Sequence, residues 1–462
     1  LTNTPGVYER SPAWSPDGSQ LVYADSGGIS SVAISGGAPH RVARMLEAHS
    51  PSWSPDGRRI AFSVENLVFV NSAGYGNAAP SAIWTASATG GDSALVTDAQ
   101  YLNTAPVWWP DGRGILFVSD RDGPRDVYRQ RVSSSGRPRG APERVTSGLD
   151  PFTFTLTPDG SQMAYSTLRL RSNIWMAPIA ADGVTPSSAA RAVTTERQSI
   201  EGIAVSHDGK WLAFDSNRNG NLDIYKVPFD GTGLAGAPVA LTTDSAPDYE
   251  PRWSPGDSEL VFYSRRFGTK DLFLVNADGR NERRLTTLPG NEYYPDWEPN
   301  GDQIVFSSQV SYAWDVLVTT RGPNATWTEP RRIDAAATPT VDVRWAPDGR
   351  TIALVDNARL GLQPIDGGPF RPLIDGRSLR ESITFVVWGR DASRLYFQTR
   401  DPGGIYSYWS VSTAGGPPRR LLRLAEPGRR TRRPEFDTDG RNLFFTVVDD
   451  EADVAVVSLR QQ

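Results

Sequence analysis

The densest run of oxygen ligands in this 462-residue sequence is Asp215-Ser-Asn217-Arg-Asn219-Gly220-Asn221-Leu-Asp223. Oxygen-bearing side chains on alternate residues, with glycine at the sharp turn, are what a loop needs to hold a hard cation such as calcium. Asp215, Asn217, Asn219 and Asp223 are therefore the candidate ligands. The twelfth position is Lys226 instead of a bidentate glutamate, and a hairpin turn accounts for the same residues. Asp120-Arg-Asp122-Gly123 followed by Asp126 repeats part of this spacing, but Val118 stands where the first ligand belongs. No other cofactor is expected.

Covalent and acid–base chemistry is poorly supplied. There is no cysteine, hence no disulfide, thiolate nucleophile or thiolate metal centre. The three histidines are His40, His49 and His207, and they read as turn or connecting residues. No Gly-x-Ser-x-Gly elbow and no His-Glu-x-x-His segment occurs. Carboxylates are plentiful, and a facing pair is all a glycosidase needs. Most of the aspartates, however, are explained by turns, where the side chain caps backbone amides. The adjacent Asp-Gly, with no Thr-Trp after it, also departs from a sialidase Asp box. The chain is not expected to be an enzyme.

Charge and hydropathy narrow the partners. Forty-eight basic residues nearly balance 53 acidic ones, so nucleic acid is not expected. No apolar run is long enough to span a membrane. Two surfaces stand out as contact candidates. Leu67, Val68, Phe69 and Val70 precede the Gly-, Asn- and Ala-rich stretch Asn71 to Ala79 in the longest repeat, where an apolar loop suits a partner; an extra strand on its own sheet is the alternative. Arg419, Arg420, Arg423, Arg429, Arg430, Arg432 and Arg433 crowd into fifteen residues and suit carboxylates or anionic head groups. With only Lys210, Lys226 and Lys270 as lysines, arginine is also this chain's ordinary cation.

The elements that would carry these residues come from one recurring phrase. It appears as Trp14-Ser-Pro-Asp17-Gly18, Trp53-Ser-Pro-Asp56-Gly57, Trp108-Trp-Pro-Asp111-Gly112, Trp253-Ser-Pro-Gly256-Asp257, Trp297-Glu-Pro-Asn300-Gly301 and Trp345-Ala-Pro-Asp348-Gly349. Variants stand at Asp159-Gly160, Asp208-Gly209, Asp391-Ala392 and Asp439-Gly440. Ten copies at steps of 39, 55, 48, 49, 48, 44, 48, 43 and 48 residues give a propeller-blade period. Within each copy one strand ends at the Trp, Pro-Asp-Gly turns the chain, and an apolar strand such as Ile60-Ala-Phe62 comes next. A third strand opens with Asp or Asn (Asp126, Asn173, Asp223, Asp271, Asp315, Asp453), and a fourth closes on Val145-Thr146, Val193-Thr194, Leu241-Thr242 or Leu285-Thr286. Four short antiparallel strands make one blade, and the regularly placed aromatics pack one blade on the next.

This Trp-Ser-Pro-Asp-Gly, Ile-Ala-Phe, Asp-Ile-Tyr, Leu-Thr pattern resembles the TolB-type propeller repeat over essentially the whole chain. The same repeat occurs in tricorn-like proteases and in propellers appended to peptidases, amidohydrolases and sensor kinases. The resemblance implies an all-β propeller; the chain departs from TolB in lacking that family's separate N-terminal α/β domain and in carrying about ten repeats instead of six. Its residues make turns and packing, so it carries no specific function and does not transfer the Pal lipoprotein as a partner.

The expected architecture is a single closed propeller of about ten blades over residues 1–462. Leu1-Thr2-Asn3-Thr4 would supply the fourth strand of the last blade. Two fused rings, five plus five or four plus six, are the alternative. The expected function is a non-catalytic interaction scaffold, periplasmic or extracellular, docking on a membrane-associated protein complex; the start at Leu1 is compatible with a removed leader. The rival is a sensing or substrate-gating propeller whose catalytic domain lies elsewhere, and a glycan-binding module is a weaker third.

Overall fold

The computed structural model describes residues 1–2, 9–66, 80–267, 269–310, 313–333, 342–356, 358–426, 431 and 435–459. These residues are almost entirely antiparallel β-structure, with one helical turn at Gly376–Leu379 and 3-10 turns at Ser187–Ala189 and Pro323–Ala325. Each Asp-Gly phrase makes the expected hairpin between the first two strands of a sheet. In the first copy the Ser15 hydroxyl donates to Asp17 Oδ1 (2.6 Å), which also accepts the Ser19 amide (3.0 Å), while Gly18 takes a φ of 72°. Thr157, Asp159 and Ser161 repeat the arrangement. The hydroxyl bonds hold the Asp17 and Asp159 carboxyls down at about 2. These aspartates are turn residues.

The chain divides into two compact units, Leu1–Leu170 with Asp450–Gln462, and Arg171–Asp449. This differs from the single ten-bladed ring expected over residues 1–462. The reason lies in two strands of 17 residues, Gln162–Pro178 and Asn442–Ser458, about three times the usual strand length. The first half of Gln162–Pro178 pairs with Pro151–Leu156, and its second half pairs with Arg191–Ala192. Asn442–Ser458 lies beside Gln162–Pro178 and begins against Phe436–Thr438. Leu1 and Thr2 form no strand, and Asn3 and Thr4 lie outside the described residues.

The first unit holds three four-stranded sheets, whose innermost strands are Arg10–Trp14, His49–Trp53 and Asn103–Trp108, and a part-sheet begun by Pro151–Leu156. The second unit holds five four-stranded sheets, whose innermost strands are Ile203–Val205, Asp248–Trp253, Asn291–Trp297, Asp342–Trp345 and Ser382–Trp388. Its sixth sheet draws Phe436–Thr438 and the start of Asn442–Ser458 from the end of the unit, and the end of Gln162–Pro178 with Arg191–Ala192 from its beginning. Ile174 and Met176 of this sheet pack with Ile203, Leu212 and Phe214, while Phe436 and Phe445 pack with Phe385, Tyr408 and Leu422. Both of its faces are therefore covered by neighbouring sheets.

The recurring tryptophans fasten one sheet to the next. Trp53, Trp253, Trp297 and Trp388 donate Nε1–H to the carbonyls of Ala13, Ala204, Arg252 and Arg344, each on the innermost strand of the preceding sheet, at 3.2–3.3 Å. Aromatic spacing thus encodes both apolar burial and an inter-sheet hydrogen bond.

Candidate functional site

The innermost strands share a local feature that aims side chains at the centre of each unit. Ser11, Ser50, Ala105, Glu250 and Tyr294 lie three residues before a Trp and immediately before a proline, and all take φ between 50° and 55°. The pairing register shifts at each of these points, as at a β-bulge. Left-handed backbone costs a non-glycine residue about 1–2 kcal/mol, and the bulge re-aims the side chains that come after it on the strand. In the first unit Ala13, Ser52, Val107 and Thr155 line a central cavity of about 560 Å³ together with Pro12, Pro51 and Pro106. Its lining is small or apolar.

The equivalent position in the second unit is different. Ala204, Arg252, Asp296, Arg344, Val387 and Asp437, one from each innermost strand, line a cavity of about 490 Å³ walled by Trp253, Trp297, Trp345 and Trp388. Arg252 and Arg344 are buried, at 9% and 3% exposure. Arg344 Nη2 lies 3.1 Å from Asp342 Oδ1, its Nη1 donates to the Tyr294 carbonyl, and its guanidinium sits 4.6 Å over the Phe385 ring. Arg252 Nη1 stands 3.9 Å from Asp437 Oδ2.

Each aspartate also accepts a backbone amide of an adjacent sheet. Asp296 takes Trp345 N–H (2.7 Å), Asp342 takes Val386 N–H (2.9 Å) and Asp437 takes Val205 N–H (2.8 Å). Burial raises the Asp296 carboxyl and pushes Asp342 up to about 6. Burial, and then the neighbouring Arg344, lower Arg252. The result is a cavity lined by two buried cations, Arg252 and Arg344, and two half-buried anions, Asp296 and Asp437.

The mouth of this cavity carries Arg390 and His207. Arg390 Nη2 donates to the Ser206 carbonyl (3.2 Å), and His207 Nδ1 faces Asp257 Oδ1 at 3.0 Å. Asp257 owes its position to the inverted Gly256-Asp257 order, and it also accepts the His207 and Asp208 amides. The Ser206 hydroxyl donates to Asp208 (2.7 Å) and accepts the Trp211 amide. It is occupied by the turn and is not presented as a nucleophile.

The residues singled out by sequence are placed elsewhere. Asp215 is buried, and its carboxylate accepts the amides of Glu201, Gly202 and Glu250; burial, with Glu201 beside it, raises it strongly. Asn217 Oδ1 accepts the Ser199 amide (2.6 Å), Asn219 is exposed, and Asp223 is buried opposite Ser216 in the sheet. Asp215 and Asn217 are thus spent on separate backbone amides.

Arg419 donates to the carbonyls of Ala180 and Ala181; Arg420 pairs with Glu381 and stacks 4.4 Å over Trp409; Arg423 pairs with Asp401 at 2.9 Å. These three arginines serve internal contacts. Leu67, Val68, Phe69, Val70, Arg429, Arg430, Arg432 and Arg433 lie outside the described residues. The central ring escaped the sequence reading because its members are 43 to 50 residues apart or more. The signal available was the residue just before each blade Trp, which is charged only at Arg252, Asp296 and Arg344.

Residues 10–177 match the TolB beta propeller domain family. The chain carries TolB-like propeller repeats. Among curated proteins these repeats are 27% identical over 227 residues to an uncharacterized protein of Agrobacterium fabrum, covering 48% of this chain and 70% of that one. They are 28% identical over 173 residues to a protein TolB homolog of Chlorobium luteolum, covering 36% of this chain and 34% of that protein. The match to this TolB homolog therefore spans about a third of its length. Among solved structures, TolB from Acinetobacter baumannii aligns with 97% of this chain and 80% of its own, at 14% identity and a TM-score of 0.24. No helix among the described residues is long and apolar enough to cross a membrane.

Proposed function

We propose that this TolB-like chain is a non-catalytic protein-interaction scaffold of the extracytoplasmic space, and that residues 171–449 form a six-bladed ring whose central funnel receives a segment of its partner. The observation that carries this reading is the convergence of Arg252, Asp296, Arg344 and Asp437 on one cavity. Charges of both signs, the arginines buried and the half-buried aspartates held by backbone amides, favour a segment that itself carries charge of both signs. The tryptophan walls support a peptide over a glycan, since Trp253, Trp297 and Trp345 are at most 5% exposed and leave no indole face free for a sugar ring. A membrane-associated complex is the proposed partner, in keeping with the TolB homologs among the relatives.

The test is affinity capture from solubilised bacterial envelopes with the intact chain and with an Arg390→Glu, His207→Glu variant at the mouth. Both side chains are exposed, so the fold is retained. Loss of a protein captured by the parent chain is the expected result. Identical recovery of every captured protein would reject the funnel as the docking site.

A further inference from the structure

The third blade closes on a longer hairpin than the two four-stranded sheets before it. Its fourth strand, Pro138–Arg144, has seven residues, against four in His40–Ala43 and three in Ser93–Leu95. The turn leading into it is held by the Ser133 amide on the Arg137 carbonyl and the Gly136 amide on the Ser133 carbonyl, both at 2.8 Å. The tip reaches back to the second blade, where the buried Thr85 hydroxyl donates to the Gly136 carbonyl at 3.0 Å. Gly136 has a φ of 75°, and a Cβ there would stand 2.4 Å from Thr85 Oγ1 and 2.5 Å from Arg59 Nε. Only glycine allows so close an approach.

The docked hairpin helps to wall a crevice of about 560 Å³ between the second and third blades. Five arginines line it: Arg58 and Arg59 after the second blade's Pro-Asp-Gly turn, Arg113 after the third blade's, and Arg131 and Arg139 from the hairpin. Arg131 is paired with Glu143 at 3.2 Å. Arg58, Arg113 and Arg139 are exposed and make no ion pair among the described residues. Arg59 is 9% exposed; its Nη1 and Nη2 share a single oxygen, Asp92 Oδ2, at 3.3 and 3.4 Å, and its Nε has no hydrogen-bond partner among the described residues. A guanidinium carries five N–H donors, so most of the donor capacity of this buried cation is unused.

Two carboxylates share the lining, Asp56 and Asp111. Both are turn residues. Asp56 accepts the Ser54 hydroxyl and the Arg58 amide, while Asp111 accepts the Arg113 amide and faces Arg129 Nη2 at 3.5 Å. The turn amides of Gly57 and Gly112 are bonded to the Ser54 and Trp109 carbonyls, so they form no cradle for a phosphate. Two aspartates in the wall also oppose a compact, doubly charged anion. Guanidinia supplied by three separate turns match single charges that are themselves separate. Carboxylates along an acidic peptide are such charges, and arginine binds each in a bidentate fork.

We propose that this crevice docks an acidic segment of a partner protein, with Arg58, Arg113 and Arg139 taking its carboxylates and Arg59 supplying a fixed, buried positive charge beside them. The site uses residues of the first unit alone and does not depend on the funnel of the second.

The test is fluorescence anisotropy of a rhodamine-labelled hexaglutamate peptide with the full chain, in about 0.1 M salt, where exposed charges more than about 10 Å apart are screened. The chain has a net charge of -5, so its overall field does not hold such a peptide. Arg58→Gln, Arg113→Gln and Arg139→Gln together should weaken binding about tenfold, the worth of three exposed ion pairs. These side chains are exposed, so the fold is retained. A control of equal charge, Arg377→Gln with Arg380→Gln and Arg400→Gln in a pocket of the second unit, should change binding by less than about twofold. Thr85→Val removes no charge but releases the hairpin tip, and should weaken binding about fivefold, the worth of one hydrogen bond. The proposal is overturned if the parent chain does not bind the peptide, if both triple variants lose binding equally, or if Thr85→Val binds as the parent does. Displacement of the peptide by inorganic phosphate at the concentration at which unlabelled hexaglutamate displaces it would assign the crevice to phosphate and overturn the proposal as well.

Discussion

Replacing Glu292 with Gln should stabilise the second unit above pH 5 and leave it unchanged below pH 4. Glu292 is fully buried, and its Oε2 accepts the Thr286 hydroxyl. Burial is the main cause that pushes its carboxyl up from 4.5 to about 8. The unfolded chain thus loses this proton near pH 4.5, while the folded chain keeps it to about pH 8. Between those values folding binds a proton that the unfolded state has released. Stability therefore falls as pH rises, by about 1.4 kcal/mol per pH unit, and the loss at pH 7 is about 3 kcal/mol. Gln keeps an acceptor for Thr286 and has no proton to lose. Urea unfolding of the two proteins at pH 4, 5.5, 7 and 8.5, monitored by tryptophan fluorescence, should show the variant's advantage growing from near zero to a plateau above pH 8. A difference independent of pH would refute the reasoning, as would a variant less stable than the parent at pH 7.

Three further outcomes rest on contacts of the same kind. Trp297→Ala removes a 5%-exposed indole and its bond to the Arg252 carbonyl, and should cost about 3–5 kcal/mol in denaturant unfolding. Arg344→Ala leaves Asp342 buried without its cation; it should cost about 3–5 kcal/mol at pH 8 and less below pH 6, where Asp342 is neutral in the folded state. Because Asp215 and Asn217 already satisfy backbone amides, chelator should leave the melting temperature unchanged. A calcium site at hundredfold saturation would instead contribute about 2.7 kcal/mol, a shift calorimetry would register.

The repeat was legible because its physics is local. A Trp, a Pro-Asp-Gly turn and an Asp-led third strand each act within a few residues, and the structure places them in four-stranded sheets as that grammar requires. The division into two units was not legible in the same way. It depends on Gln162–Pro178 and Asn442–Ser458 continuing past the length of one blade, and nothing in Ser166 to Asn173 marks a break between the halves. The candidate site was hidden for a related reason. A calcium-like spacing is visible because its residues are adjacent, yet the fold sends Asp215 and Asn217 to different amides. Arg252, Asp296, Arg344 and Asp437 are far apart in sequence and meet only because each stands at one register of an innermost strand. Of the crowded arginines, Arg420 and Arg423 lie along one strand and are paired with Glu381 and Asp401, pairings that sequence density alone does not reveal.

The architecture of the second unit makes a stringent prediction about its fragment. Residues 171–449 contain every strand of its six sheets, including the sheet whose first two strands come from the end of the segment and whose last two come from its beginning. That sheet is fastened by bonds of long sequence separation: Asp437 to the Val205 amide, and the Leu421 carbonyl to the Thr185 amide at 2.7 Å. On the six-bladed reading proposed above, the ring has no terminal sheet to fray, because its first and last strands hold each other. The isolated fragment 171–449 should therefore fold and melt in one cooperative transition with buried tryptophan emission. Deleting residues 171–192 from it removes two strands of the joining sheet and exposes the apolar faces of both neighbours. That shorter fragment should lose the transition entirely rather than by degrees. If it melts as cooperatively as the longer one, the sheet is not what joins the ring, and the six-bladed reading fails with it.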